Sequence, residues 1–355
     1  MIEVKKEGIL LEKTDKGFEN EAVMNPAVIR EGETIHIFYR AVRKGNYSSI
    51  GHCILKNPLE ILERKEKPIL FPEEKYESQG IEDPRIVKIE DTYYLTYSVY
   101  DKVNVLAAYA TSKDLVTFEK HGIITPKFTY REYKHFVEVN DLIDKYLFHY
   151  NFLKAHGLGK ELSEKLIVWD KNVMLFPKKI DGKFAMLHRI FPGIQIVYFD
   201  KFSDLTVEFW TNYMLNMDDH IVMDPKYPHE SSHIGGGCPP IETEDGWLFI
   251  YHAVESTPEG SVYHASATLL DFENPVNVIS RLHEPLISPT LEWEKKGVVN
   301  NVVFPTGAIV IDETLYIYYG AADARIGTVS LNLNELLAEF KKPKNKEYVQ
   351  HEYTS

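Results

Sequence analysis

Apolar and polar residues alternate with a two-residue period in five separate stretches of the chain. They are AVIREGETIHIFYR (27–40), RIVKIEDTYYLTYS (85–98), FPKKIDGKFAMLHR (176–189), PPIETEDGWLFIYH (239–252) and GAIVIDETLYIYYG (307–320). Each has a short first strand, a tight polar turn and a second strand rich in aromatic and β-branched residues, the pattern of a β-hairpin with one face buried. The dipeptides Glu31-Gly32, Glu90-Asp91, Asp181-Gly182, Asp245-Gly246 and Asp312-Glu313 mark the expected turns. A proline stands at the start of each hairpin (Pro26, Pro84, Pro177, Pro240 and Pro305) and is expected to break the preceding element. Further strands are expected after the hairpins, within 110–122, 199–210, 264–275 and 327–336.

The second strands end at residues 40, 98, 189, 252 and 320, so successive gaps are 58, 91, 63 and 68 residues. A four-stranded propeller blade occupies about 40–50 residues before loop extensions. The expected fold class is therefore all-β, a five-bladed β-propeller. The 355 residues form a single domain, 1–355, where length alone suggests two. The gap of 91 marks an insertion between blades two and three, at about 131–166, with a short helix expected in ELSEKL (161–166). It is placed to form a lid, an acceptor-site wall or an oligomer contact.

Composition narrows the partners. With 44% hydrophobic residues the chain can bury a large core. Forty Lys+Arg against 53 Asp+Glu give a net charge of −13, which disfavours nucleic acid and anionic membrane as partners. No apolar run of about 18 residues is present, so no membrane span is expected. Two cysteines, Cys53 and Cys238, suit a reducing cytoplasm and read as buried structural thiols. The 14 histidines show no paired metal spacing, and no phosphate-loop or nucleophile-elbow motif occurs, so neither metal nor cofactor is expected.

Polar residues recur at equivalent points of the repeats. The second strands end in Arg40, Ser98, Arg189, His252 and Gly320, with Asp323 just beyond. The hairpins open with Asn25-Pro26, Asp83-Pro84-Arg85 and Lys171-Asn172. Equivalent blades would bring these groups to one axis, where propellers bind ligands. Asp83, fixed before a rigid proline, reads as a general acid or as a turn residue paired with Arg85. A carboxylate beside a guanidinium is held ionised, which suits a poor acid. Lys171, Arg189 and His252 read as a dianion pocket or as partners of the many acidic groups. His188 and His264 read as packing or supporting residues.

At these residues the chain resembles the inverting β-mannoside phosphorylases of glycoside hydrolase family 130. The resemblance rests on MNPAVI (24–29), GIEDPRIV (80–87), KNVMLFPKKIDGKFAMLHR (171–189), GGGCPPIETEDGWLFIYHAV (235–254), VVFPTGA (302–308) and YYGAAD (318–323), in order over nearly the whole chain. It implies a five-bladed propeller, with Asp83 as catalytic acid and Lys171, Arg189, His252 and Tyr263 as phosphate-binding groups. It further implies that Asn25, Arg40, Arg85 and Asp323 surround the mannose. Phosphate, as co-substrate, would replace the base and water of an inverting hydrolase, giving α-mannose 1-phosphate and a shortened sugar. In the family the proton is thought to pass from the aspartate through the mannose 3-hydroxyl, which relieves the demand on Asp83. The alternatives are an inverting β-mannosidase of the same family, which would have lost the basic groups, and a non-catalytic carbohydrate-binding propeller. The expected partners are a β-mannoside and phosphate, with a homo-oligomer left open along with the linkage and the acceptor sugar.

Overall fold

Five hairpins form, the third with its first strand at Asp170–Leu175 and not in the expected FPKKI segment, and each is extended into a four- or five-stranded antiparallel unit. The computed structural model describes residues 2–142, 146–147 and 166–342. Unit 1 comprises β2 (Ala22–Glu31), β3 (Thr34–Arg43), β4 (Tyr47–Asn57) and β5 (Glu60–Arg64). Unit 2 comprises β6 (Gly80–Ile89), β7 (Thr92–Tyr100), β8 (Val105–Ser112) and β9 (Glu119–Ile123). Unit 3 holds β10 (Asp170–Leu175), β11 (Phe184–Ile190), β12 (Ile194–Phe199) and β13 (Ile221–Met223). Unit 4 holds β14 (His233–Gly236), β15 (Ile241–Thr243), β16 (Gly246–Thr257), β17 (Gly260–Leu270) and β18 (Val278–Arg281). Unit 5 is β19 (Val303–Ile311), β20 (Thr314–Ala321) and β21 (Arg325–Asn332), completed by the N-terminal strand β1 (Lys5–Leu11), which pairs antiparallel with β21. A single parallel bridge, Ser48 to Gly80, joins units 1 and 2 into one hydrogen-bonded sheet, and among the described residues no sheet closes on itself.

The two-residue turns differ from the expected dipeptides at two hairpins. The loops are Gly32-Glu33 and Glu244-Asp245, set by the pairs Glu31–Thr34 and Thr243–Gly246. In the first, Gly32 takes the left-handed position (φ 59°), where a residue without Cβ is least strained. The prolines are corrected more deeply. Pro26, Pro84 and Pro305 lie inside the first strands, where the register slips between Met24 and Ala27, Glu82 and Arg85, and Pro305 and Gly307. A residue with no N–H is tolerated in a strand at such a bulge, so these prolines mark bulges rather than strand ends. The third-strand expectations hold at β17 and β21. The 199–210 segment instead runs from the end of β12 into a helix, Val207–Leu215.

Apolar residues gather in five main clusters, each between two consecutive units. Phe38 and Ile50 meet Leu95 and Tyr97, Val87 meets Val173, and Ile196 meets Phe249. Ile250 meets Ile317, and Leu11 and Ile309 meet Val23 and Tyr39. The last of these lies between unit 5 and unit 1.

A second repeat was hidden one residue before each site position. Tyr39, Tyr97, His188, Tyr251 and Tyr319 each precede a second-strand end and are buried. In units 1, 4 and 5 the tyrosine hydroxyl donates to a buried glutamate: Tyr39 to Glu19 at 2.6 Å, Tyr251 to Glu230 at 2.7 Å and Tyr319 to Glu294 at 2.6 Å. The outermost strand supplies the cation: Arg64, Arg281 and Lys6, with Lys120 pairing Glu77 in unit 2. Glu77, Glu230 and Glu294 also accept backbone N–H groups from residues three and four positions earlier, which supports each carboxylate despite zero exposure.

The described part of the insertion begins with a helix, Tyr130–Val139. Thr129 and Glu132 cap it reciprocally, and it buries Tyr130, Tyr133, Phe136 and Val137 against unit 3. The short helix expected at 161–166 falls outside the described residues but for Leu166. Cys53 and Cys238 are buried and unpaired, and burial pushes each thiol up to about 12. Among the described residues no helix is long and apolar enough to cross a membrane.

Candidate active site

Bulges decide where the site residues point. Asn25 (φ 49°), Asp83 (φ 49°) and Asn172 (φ 57°) occupy left-handed backbone at the slipped registers of β2, β6 and β10, and Asp323 (φ 51°) follows β20. Asn and Asp tolerate that conformation better than other side-chain-bearing residues. The second strands contribute Arg40, Arg189 and His252. All converge on one cavity of about 200 Å³ whose walls include Asn25, Arg40, Asp83, Lys171, Arg189, His252, Tyr263 and Asp323. Two glycines make room. A Cβ at Gly320 would strike the Asn25 amide, and one at Gly235 would strike the His252 ring and Asn172.

One half of the cavity is acidic and cross-linked. Asn25 Nδ2 donates to Asp83 Oδ1 at 2.7 Å. Arg40 binds Glu82 Oε1 at 2.6 Å, donates from Nε to Ser48 Oγ at 2.9 Å and stands 3.9 Å from Asp83 Oδ1. Burial pushes the Asp323 carboxyl up to about 6; Arg40 opposes the shift while Asp83 and Glu82 add to it. Glu82 is likewise raised, first by burial. Arg40 is thus the cation shared by three carboxylates.

The other half is basic. Lys171 and Arg189 are direct cross-strand partners on β10 and β11. Like charges placed so are repulsive, with Arg189 buried and Lys171 half-buried. Burial first, then Arg189, brings the Lys171 ammonium down to about 8, and burial lowers Arg189 as well. Among the described residues Arg189 Nε has no hydrogen-bond partner, nor do His252 Nδ1 and Asn172 Oδ1. Burial, reinforced by Arg189 and His233, drives His252 well below its ordinary value. It is therefore a neutral hydrogen-bonding group and not the third cation expected from the sequence. Burial raises the Tyr263 phenol, which keeps its proton to donate. Half-buried Lys171 beside buried Arg189, whose Nε is unspent, is an arrangement with the charge and donors to receive a small dianion.

Arg85 is not brought to the cavity wall. It is 1% exposed and lies beneath it, donating from Nε to the Gly237 carbonyl at 2.6 Å and from its Nη atoms to the carbonyls of Asp83 (2.8 Å) and Gly236 (3.3 Å). It fixes the Asp83 bulge to unit 4. His188 is likewise supporting: its Nδ1 lies 2.8 Å from Asp170 and its Nε2 2.7 Å from the Tyr213 hydroxyl, all behind Arg189. His264 bridges Ser288 and Glu255 away from the cavity.

Five wall residues were not expected at the site: Glu82, His233, Val299, Val302 and Phe304. Adjacency to Asp83 was the available signal for Glu82, and Asn172, expected at the axis beside Lys171, is there. Phe304 packs against His252 with its ring tilted by 32° and the ring centroids 4.4 Å apart. A second cavity of about 180 Å³ adjoins the basic half. It shares Lys171, Arg189, His233 and Tyr263 and adds Tyr130, Tyr133 and Tyr146 from the insertion. The insertion therefore walls the basic side. Among the described residues no group of three His, Cys, Asp or Glu is arranged to hold a metal ion.

Known proteins match this architecture. A family model described as beta-1,4-mannooligosaccharide phosphorylase, of glycoside hydrolase family 130, matches residues 9–162 and 154–342. A 1,2-beta-oligomannan phosphorylase from Thermoanaerobacter sp. (strain X514) is 34% identical over 340 residues, covering 92% of this chain and 96% of that protein. A beta-1,2-mannobiose phosphorylase from the same organism is 33% identical over 327 residues, covering 87% and 90%. The solved beta-1,2-mannobiose phosphorylase from Listeria innocua, in complex with beta-1,2-mannobiose, shares the fold with a TM-score of 0.70 at 23% identity, covering 96% of this chain and 99% of that one.

Proposed function

This chain belongs to glycoside hydrolase family 130, and from that premise we propose how its cavity works. The protein cleaves β-mannosides with phosphate. The observation that carries this reading is the cross-strand pair Lys171–Arg189, held in the same cavity as the Asp83 carboxylate. An inverting hydrolase needs a base and a water where these two cations stand.

The terminal mannose occupies the acidic half, among Asn25, Arg40, Asp83 and Asp323. Phosphate binds to Lys171 and Arg189, with neutral His252 and the Tyr263 hydroxyl completing its hydrogen bonds. A phosphate oxygen attacks the anomeric carbon as the bond to the leaving oxygen breaks, inverting the centre. Asp83 gives its proton to the mannose 3-hydroxyl, which passes its own to the leaving oxygen. The products are α-mannose 1-phosphate and the shortened saccharide. We read the linkage as β-1,2, because the relatives matching at full length carry that linkage in their names.

The five units are read as the blades of one propeller and one domain. Support comes from the five apolar clusters, which join consecutive units in cyclic order, and from β1, which completes unit 5. The free buried thiols fit a cytoplasmic enzyme. The test is to incubate the protein with β-1,2- and β-1,4-manno-oligosaccharides, with and without phosphate, and measure mannose 1-phosphate. Formation from the β-1,2 series, only with phosphate, supports the reading. Free mannose released equally without phosphate makes the protein a hydrolase, and turnover of the β-1,4 series alone overturns the linkage.

A further inference from the structure

A cavity of about 610 Å³, three times the volume of the catalytic one, lies outside the acidic half and has no part in the chemistry above. We propose that it is a distal saccharide-binding site that holds the leaving-group end of a β-mannan chain and makes the enzyme favour oligosaccharides over the disaccharide. This rests on the β-mannoside phosphorylase reading.

Position is the first argument. The cavity is built where β3 ends and β4 begins, together with the segment leading into β6, the same strand ends that carry Arg40 and Asp83. Ser48 links the two cavities. It lines the outer cavity, while its hydroxyl accepts from Arg40 Nε at 2.9 Å and lies 3.5 Å from Glu82 Oε1. Phosphate approaches from the Lys171–Arg189 side, so inversion requires the leaving saccharide to depart on the opposite side, where Asp83, Glu82 and Arg40 stand. That is the side of the outer cavity.

Surface chemistry is the second argument. A pyranose ring offers an apolar C–H face and a rim of hydroxyls. Phe71 is 51% exposed at the cavity, and Tyr47 carries the Arg43 guanidinium over its ring at 5.1 Å. Glu73, Glu74 and Lys75 supply charged groups for hydroxyls. The third argument is rigidity. Buried Glu77 accepts the backbone N–H of Glu73 and Glu74, and Lys120 ties Glu77 to the Phe71 carbonyl. Buried Gln79 donates to the carbonyls of Gly45 and Asn46, fixing the opposite rim. A preformed wall loses little entropy when it binds a flexible chain.

The test compares kcat/KM for β-1,2-linked mannobiose, -triose and -tetraose at saturating phosphate in the unaltered protein and in Phe71→Ala and Tyr47→Ala. A tetraose-to-biose ratio of about 10, falling toward 1 in the variants, is expected, since one well-packed sugar contact changes affinity by about tenfold. Thermal midpoints report whether the variants fold. A ratio of 1 in the unaltered protein, or a ratio that the folded variants leave intact, overturns the distal site while leaving phosphorolysis standing. Absence of phosphate-dependent turnover at every length overturns the functional reading beneath it.

Discussion

Asn25 donates a 2.7 Å hydrogen bond to Asp83, and both residues sit in left-handed backbone at the bulges of adjacent first strands. Two bulges in two different units thus aim one amide and one carboxylate at the same point. The bond leaves Asp83 oriented toward the cavity, where Arg40 also approaches it. Asn25→Ala should remove that orientation and lower kcat by about 3- to 10-fold, the worth of one typical hydrogen bond. Steady-state kinetics with both substrates varied checks this; the KM for phosphate should stay within about twofold.

Phosphate use should depend on Arg189 more than on any other single group. Arg189→Ala removes charge-assisted, bidentate-capable donors and should raise the KM for phosphate by about 30- to 100-fold. Arg189→Lys should fall between the two, because charge returns without the planar fork. The KM for the mannoside is the control and should barely move.

Lys171 sets an alkaline limit. Its ammonium is brought down to about 8, so the charge is fully present well below that pH and is lost as pH rises through it. The kcat/KM for phosphate, which reports the free enzyme, should therefore fall about tenfold per pH unit above 8. Lys171→Arg should abolish that limb in a pH profile. Bound phosphate stabilises the charged form, so kcat should fall at a higher pH than kcat/KM.

Stability should depend on the buried glutamates and not on the surface pairs. Glu230 takes two backbone N–H groups, the Tyr251 hydroxyl and the Arg281 guanidinium. Glu230→Ala leaves that guanidinium buried without its counter-ion and should cost about 3–5 kcal/mol. Glu242→Ala breaks an ion pair with Lys178 in which both side chains are about half exposed. It should cost less than about 1 kcal/mol. Chemical denaturation of the two variants side by side distinguishes them.

The hairpins were legible because strand alternation and turn residues are local. The site was legible because residues at one repeat position must converge if the repeats do. What escaped depended on three-dimensional context. Pro26 and Pro84 look like strand breaks until the slipped register shows that they occupy bulges. Arg85 follows Asp83 in sequence, yet the bulge turns it under the cavity floor toward Gly237. His252 counts as basic in a composition, but burial beside Arg189 leaves it neutral. The row Tyr39, Tyr97, His188, Tyr251, Tyr319 was visible in the repeats, but nothing linear showed that Tyr39, Tyr251 and Tyr319 meet glutamates 20, 21 and 25 residues earlier in the chain.

The central claim is that phosphate, held by Lys171 and Arg189, is the nucleophile and inverts the anomeric carbon. Following β-1,2-mannobiose with phosphate by 31P and 1H NMR tests it directly. The account predicts that α-mannose 1-phosphate appears in step with free mannose acceptor, and that both vanish in Asp83→Asn or without phosphate. A β-anomeric phosphate, or mannose formed at the same rate without phosphate, would contradict it.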